Sequence, residues 1–288
     1  MKRYIFLNLK RFDISKNKAG INSIAPIHTW AEHIVTSLEK GLEQFNPGDI
    51  DWEFPVFLPE AHLLPASQSH ISSAPYPLSI GCQAVHHADT EVGKNFGAFT
   101  TSLPANAAVE LGCSWTIIGH SEQRAKLLYL FQKANISYDR TQEAIHLILN
   151  EEIKMAHKAG LQVLYCIGEH DFEVSSKKEV LEKQIQEGLF GVDTTKLVLA
   201  YEPIWAIGPG KTPPTALQIE ETTVLVKQLC NAPLVYGGGM KQENAEGIGA
   251  ISPLDGGLVA LTRFTGDIGF YPEEYLKIVA SYAKGVQR

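Results

Sequence analysis

The sequence predicts a closed (β/α)8 barrel built from one domain over residues 1–288. Eight short apolar runs alternate with stretches of helical pattern along the whole chain. Runs such as Leu197-Val198-Leu199-Ala200 are apolar throughout, which marks strands covered on both faces of a parallel sheet. No linker or shift of composition divides the series. Parallel strands require right-handed crossovers, and eight strand–helix units fit a closed barrel. An open doubly wound sheet is the other arrangement, and its dinucleotide-binding form carries GxGxxG after the first strand. Asn8-Leu9-Lys10 stands there instead.

Taken in order, residues 4–7 read as the first strand, and the polar stretch 11–25 as a loop longer than most connections. Trp30, Ile34, Leu38 and Leu42 fall on one helix face over 30–42. Strands follow at 54–58 and 78–82, with a helix at 61–69 that Pro65 limits. The polar, glycine-containing stretch 85–101 is the longest candidate for a functional or contact loop. A helix at 105–112 ends on glycine, and the fourth strand is read at 115–119, with Ser121 as N-cap of a helical turn. Residues 127–150 are weakly helical, and Asn150-Glu151-Glu152 reads as the start of a further helix that stops at Gly160. Strands at 162–167, 197–201, 234–236 and 256–260 complete the set, with helices at 176–188, 214–229 and 272–283.

The totals narrow the function. A composition 44% hydrophobic and 20% charged is that of a globular protein with a sizeable core. The net charge of -7 argues against a nucleic-acid surface, while leaving room for a local anion site. Cys82, Cys113, Cys166 and Cys230 form no CxxC pair and lie in or near apolar segments, so they are expected to be buried thiols in a reducing cytoplasm. The start of the chain fails as a signal peptide because Asn8 and Lys10 cut its apolar run short, and no run is long enough to span a membrane.

In a barrel the strand C-termini form one face, where active sites sit. Asn8, Lys10, Gln83, His120, Glu169, Glu202 and the glycines Gly237, Gly238 and Gly239 all occupy such ends. After Glu202 come Pro203, which stops the strand, and the hinge Gly208-Pro209-Gly210. A carboxylate so placed is either a base beside a lid or a solvated strand-end acid, and the stretch alone leaves both open.

In chain order stand Asn8-Leu9-Lys10, Gly97-Ala98-Phe99-Thr100, Trp115-Thr116-Ile117-Ile118-Gly119-His120-Ser121-Glu122 and Cys166-Ile167-Gly168-Glu169. Tyr201-Glu202-Pro203-Ile204-Trp205-Ala206-Ile207-Gly208, Tyr236-Gly237-Gly238 and Asp255-Gly256 follow. Together they resemble the triosephosphate isomerase family over nearly the whole chain, and so imply a TIM barrel. A glutamate base paired with a neutral histidine is the known arrangement of that family. The resemblance implies that Glu202 moves a proton between adjacent carbons of a small phosphorylated sugar, and that His120 polarises the carbonyl. Lys10 would steady the enediolate, Asn8 would hold the lysine, and Glu122 matches a family acid beside it. Gly208 in the lid, with Gly238 and Gly239, would bind phosphate alongside Asn8 and Lys10. The resemblance implies no metal or organic cofactor, a homodimer, and no nucleic-acid or membrane partner.

The chain also departs from the family pattern. Glycine pairs are usual where Ala260 and Leu261 stand, and serine where Gly239 stands. Leu261 could crowd an anion, while Arg263 is close enough in sequence to compensate. Ser102 and Gln123 replace an acid and an arginine that commonly pair across the dimer. The first loop and the interval from His120 to Cys166 are long, and Pro209 stands where threonine is common. The default reaction is interconversion of dihydroxyacetone phosphate and glyceraldehyde 3-phosphate. Isomerisation of four-carbon ketose phosphates and non-catalytic sugar-phosphate sensing are the alternatives.

Overall fold

A computed structural model describes residues 2–45, 48–71, 73–207 and 211–287. It contains nine parallel strands: β1 (Lys2–Asn8), β2 (Asp51–Glu53), β3 (Pro55–Leu58), β4 (Ser79–Cys82), β5 (Trp115–Ile118), β6 (Gln162–Ile167), β7 (Leu197–Tyr201), β8 (Leu234–Tyr236) and β9 (Gly256–Val259). β9 pairs back onto β1, from Tyr4 opposite Gly256 to Leu7 opposite Val259, and this closes the ring. β2 and β3 both pair with β1 in unbroken register, so they are two halves of one barrel stave. Pro55 has no N–H to give the ladder, which accounts for the gap at Phe54. The sequence reading began this stave at Phe54 and missed β2.

Nine α-helices pack outside the ring among the described residues. They are α1 (Trp30–Leu42), α2 (Leu63–Gln68), α3 (Ala105–Glu110), α4 (Ser121–Lys133), α5 (Tyr138–Ala159), α6 (Lys177–Gly188), α7 (Ala216–Leu229), α8 (Gln242–Gly249) and α9 (Pro272–Val286). The core has two layers because each strand alternates sides. Tyr4, Phe6, Phe57, Trp115, Leu164, Val198 and Val235 fill the barrel, with Phe6 stacked on Phe57 and edge-on to Trp115. Ile5, Leu7, Val163 and Leu199 face outward against the helices.

Several boundaries differ from the sequence reading. α5 runs unbroken through Asn150, whose side-chain amide donates to the Gly188 and Phe190 carbonyls. The break comes earlier, at Asn135 in the left-handed region, so the interval divides into α4 and α5. α7 starts two residues late, behind a Thr215 cap, and α8 was not foreseen. Cys82, Cys113 and Cys166 are buried as expected, but Cys230 is only half-buried.

Two glycines separate close packing from simple flexibility. A Cβ at Gly256 would overlap the Tyr4 carbonyl at the barrel closure, whereas one at Gly247, on the exposed side of α8, meets nothing within 4 Å. Gly247→Ala should therefore stabilise the protein by about 0.5–1 kcal/mol in urea titration. Gly256→Ala should yield no cooperatively folding protein in the same experiment.

Candidate active site

The alternation that turns Val198 and Ala200 into the barrel carries Glu202 inward just past the end of β7. Glu202 is only 3% exposed. Its Oε2 accepts the Ser121 N–H at 3.0 Å, and its Oε1 lies 3.1 Å from His120 Nε2. Room for it comes from Gly168, where a Cβ would overlap the Glu202 carbonyl, and from Gly237, where one would sit 3.1 Å from Glu202 Cγ. Burial works to raise the Glu202 carboxyl. The charge His120 carries when its ring is protonated, its hydrogen bond, the Ser121 N–H and Lys10 outweigh it and hold the group below the ordinary carboxylate value. Glu202 is thus an ionised carboxylate at neutral pH.

His120, not Ser121, is the N-cap of α4, one residue earlier than the sequence reading placed it. Its Nδ1 accepts the Glu122 N–H at 3.2 Å. A ring nitrogen that accepts carries no proton, so the hydrogen sits on Nε2 and faces Glu202. The imidazole is a neutral donor, and its contact with Glu202 is a hydrogen bond. Ser121, freed from capping, spends its N–H on Glu202 at the positive end of α4.

Asn8 continues the inward series Tyr4, Phe6 and is buried. Its Oδ1 accepts from the Lys10 N–H at 3.0 Å and from Gln83 Nε2 at 3.3 Å, while Gln83 Nε2 also reaches the Lys10 carbonyl at 2.8 Å. This clamp holds Lys10 at φ 43, a left-handed conformation that non-glycine residues seldom adopt. The ammonium of Lys10 bonds Glu122 Oε1 at 2.8 Å. The pair borders a cavity of about 410 Å³, walled on its apolar side by Phe12, Ile14, Ile21 and Leu261.

At the ends of β8 and β9, the N–H groups of Gly238, Gly239, Ala260 and Leu261 donate to no other described residue. A backbone N–H is present whatever the side chain, so replacing glycine by Ala260 and Leu261 leaves the donors in place. What changes is the cavity wall, which gains the Leu261 side chain. Arg263 is committed elsewhere: its guanidinium bonds Glu274 and lies 3.9 Å over the Tyr271 ring. Gly208, Pro209 and Gly210 lie outside the described residues.

Glu169 anchors the segment around Glu202, because Tyr201 Oη and Trp205 Nε1 both donate to its Oε1 at 2.9 Å. Burial raises its carboxyl despite these two donors. The sequence reading missed the Ser121 N–H as a partner of the carboxylate. It also missed Arg124, which is buried and bonds the Gly119 and Cys166 carbonyls. Neither role has a local signal, since each depends on a neighbouring strand.

A buried carboxylate facing a neutral imidazole, with a clamped lysine beside them, makes this a (β/α)8 barrel of the acid–base class. A family model described as triosephosphate isomerase matches residues 28–267, and the chain belongs to the triosephosphate isomerase family. The triosephosphate isomerase of Synechococcus sp. (strain RCC307) is 32% identical over 235 residues, which cover 77% of this chain and 84% of that protein. That of Prosthecochloris aestuarii (strain DSM 271 / SK 413) is 33% identical over 220 residues, covering 72% of this chain and 76% of the relative. The crystal structure of triosephosphate isomerase from Bartonella henselae superposes with a TM-score of 0.69 at 22% identity, over 98% of this chain and 99% of that one. The family match starts after Asn8 and Lys10, so their place in the site rests on the geometry above.

The lowered Glu202 carboxyl has a consequence for stability. Its folded value lies below the unfolded one of 4.5, so the ionised group adds stability above that pH and loses it as pH falls through the folded value. The melting-temperature advantage of the native protein over Glu202→Gln should therefore be largest near neutrality. It should shrink as calorimetry is repeated toward about pH 3.

Proposed function

We propose that this chain interconverts dihydroxyacetone phosphate and glyceraldehyde 3-phosphate. The observation that carries the proposal is the buried, ionised Glu202 hydrogen-bonded to a neutral His120 in a chain of this family. Glu202 takes the proton from the carbon beside the carbonyl, and the electrons of that C–H bond move into an enediolate. His120 Nε2–H donates to the carbonyl oxygen and relays a proton between the two oxygens. Glu202 then returns its proton to the neighbouring carbon. The electron count of the substrate is unchanged, and the chain's own groups supply every proton, so the scheme calls for no metal or organic cofactor.

Both oxygens of Glu202 are engaged with the protein, so the base must exchange the Ser121 N–H and His120 for substrate. Lys10, oriented by Asn8, Gln83 and Glu122, offsets the charge of the enediolate. The N–H groups of Gly238, Gly239, Ala260 and Leu261 are offered to the phosphate, and the resemblance adds Gly208 from the lid. The relatives named above are triosephosphate isomerases, which favours the three-carbon substrate over a four-carbon ketose phosphate or a sensor role.

The protein is further proposed to be a cytoplasmic homodimer. Val92 and Phe96 stand exposed on the 85–101 loop, whose Thr100 the resemblance matches to the tip that reaches a neighbouring subunit, and exposed apolar side chains there favour coverage by a partner. Four unbridged thiols suit a reducing compartment. Among the described residues no helix is long and apolar enough to cross a membrane.

A coupled assay of the purified protein with either triose phosphate should show turnover, and Glu202→Asp should lower kcat by roughly 100-fold while the circular dichroism is unchanged. Folded native protein that turns over neither compound overturns the proposal, and native turnover in Glu202→Asp removes that residue as the base. In sedimentation velocity, Val92→Ser with Phe96→Ser should shift the dimer mass toward that of one chain. An unshifted dimer places the contact elsewhere.

A further inference from the structure

Gly119 is the corner between β5 and His120, and it is gripped from both sides. Its N–H donates to Gln123 Oε1 at 2.7 Å, and its carbonyl accepts from Arg124 Nε at 2.8 Å. Its φ is 77, and a Cβ there would sit 2.9 Å from the Cys166 carbonyl, so the corner has one backbone solution. That solution sets His120 and the Ser121 N–H, the two protein contacts on Glu202.

Gln123 is oriented by its own bonds. With Oε1 on Gly119, Nε2 points the other way and donates to Glu152 Oε2 at 2.7 Å. The arginine common in the family at this position has no acceptor and could not take the Gly119 N–H. Glu152 lies on α5, is buried, and borders a second cavity of about 340 Å³. The other titratable groups around that cavity are Glu60, Cys82, His86 and, from α4, Lys126. None of these forms an ion pair with Glu152 among the described residues.

We propose that Gln123 is a positioning residue for His120, anchored by Glu152, and that proton uptake by Glu152 loosens the corner. Its kinetic consequence rests on the isomerase reading, while its structural part stands on the bonds just given. Burial pushes the Glu152 carboxyl up to about 7, against the Gln123 hydrogen bond and the charge of Lys126. An ionised acceptor holds the Gln123 amide about twice as strongly as a neutral one. The grip is therefore full above that pH and weakened below it.

The test compares native protein, Glu152→Gln and Gln123→Met. It measures kcat and KM across pH, and the amide resonance of Gly119, which needs no turnover. Glutamine at position 152 imitates the protonated acid, so its kcat should match the native value at low pH and stay at that level. Native kcat should climb above it as pH rises through about 7, with KM nearly equal in the two. Taking the ratio of the two proteins cancels ionisation of the substrate phosphate. Gln123→Met should lose about tenfold in kcat at every pH, and its Gly119 amide should no longer titrate. A pH-independent ratio, or a native Gly119 resonance that does not titrate, overturns the proposal. If Gln123→Met does not fold, the native and Glu152→Gln pair decides alone. A native protein without turnover would sink the isomerase reading, and the Gly119 titration would still decide this one.

Discussion

A carboxylate withdrawn from water at the mouth of an apolar barrel is the constraint to which most of this structure answers. Burying such a charge costs several kcal/mol unless it is paired and hydrogen-bonded. The barrel interior is apolar, with Val198, Ala200 and Val235 among its side chains, and the Cys166 thiol is its one group that bonds the Glu202 carboxylate among the described residues. The other compensating groups come from the rim, on two further staves. The end of β5 provides His120 and the Ser121 N–H, and the end of β1 provides Lys10. On the neighbouring staves, Gly168 makes room for the Glu202 main chain and Gly237 for its side chain. A closed ring is the architecture that can bring these ends together, so the fold is a condition of the charge state and not a neutral platform for it.

The neutrality of His120 has a mechanical origin as well as an electrostatic one. As N-cap, the ring accepts the Glu122 N–H, a group that would otherwise be orphaned at the helix start. Protonating Nδ1 would sever that bond and place two donors face to face. The helix is thus better capped by the neutral tautomer, and the same tautomer leaves Nε2–H available toward the site. Capping and the proposed chemistry draw on one proton position, which ties the protonation state of His120 to the capping of α4.

What was legible in the sequence follows from how local the determining contact is. The staves could be read because both faces are buried, and a run such as Leu197 to Ala200 carries that fact in its own composition. The break at Phe54 depends on a missing proline N–H, so only its cause was visible and not its effect on pairing. Asn150 looked like a helix start because asparagine caps helices; here its amide goes to the carbonyls of Gly188 and Phe190, partners that exist only after α6 has packed. Glu202, His120, Lys10 and Asn8 were legible through motifs that carry their neighbours with them. Gln123 was read as a lost dimer contact, because its two partners, Gly119 and Glu152, reveal their joint meaning only in three dimensions.

The departures in the first loop and after β9 form one connected region, separate from those at Ser102 and Gln123. The long first loop is braced internally by Asn22, which bonds the Asp13 and Ala25 carbonyls, and it is tied to the last loop by the Lys16–Asp267 pair. Asp267 also accepts from the Tyr271 hydroxyl, Tyr271 stacks under Arg263, and Arg263 bonds Glu274 on α9. Leu261 borders the cavity beside Lys10, together with Phe12, Ile14 and Ile21 of the first loop. The brace therefore commits Arg263 to Glu274 and Tyr271. It leaves the N–H groups of Ala260 and Leu261 untouched, because backbone donors are indifferent to the side chain they carry. The two halves of the site consequently obey different rules. In the proposed scheme, the proton-transfer half is written in side chains and admits little change at Glu202 or His120. The half proposed to take the phosphate is written in backbone, so its residues can be replaced, and its wall rebuilt, while its donors persist.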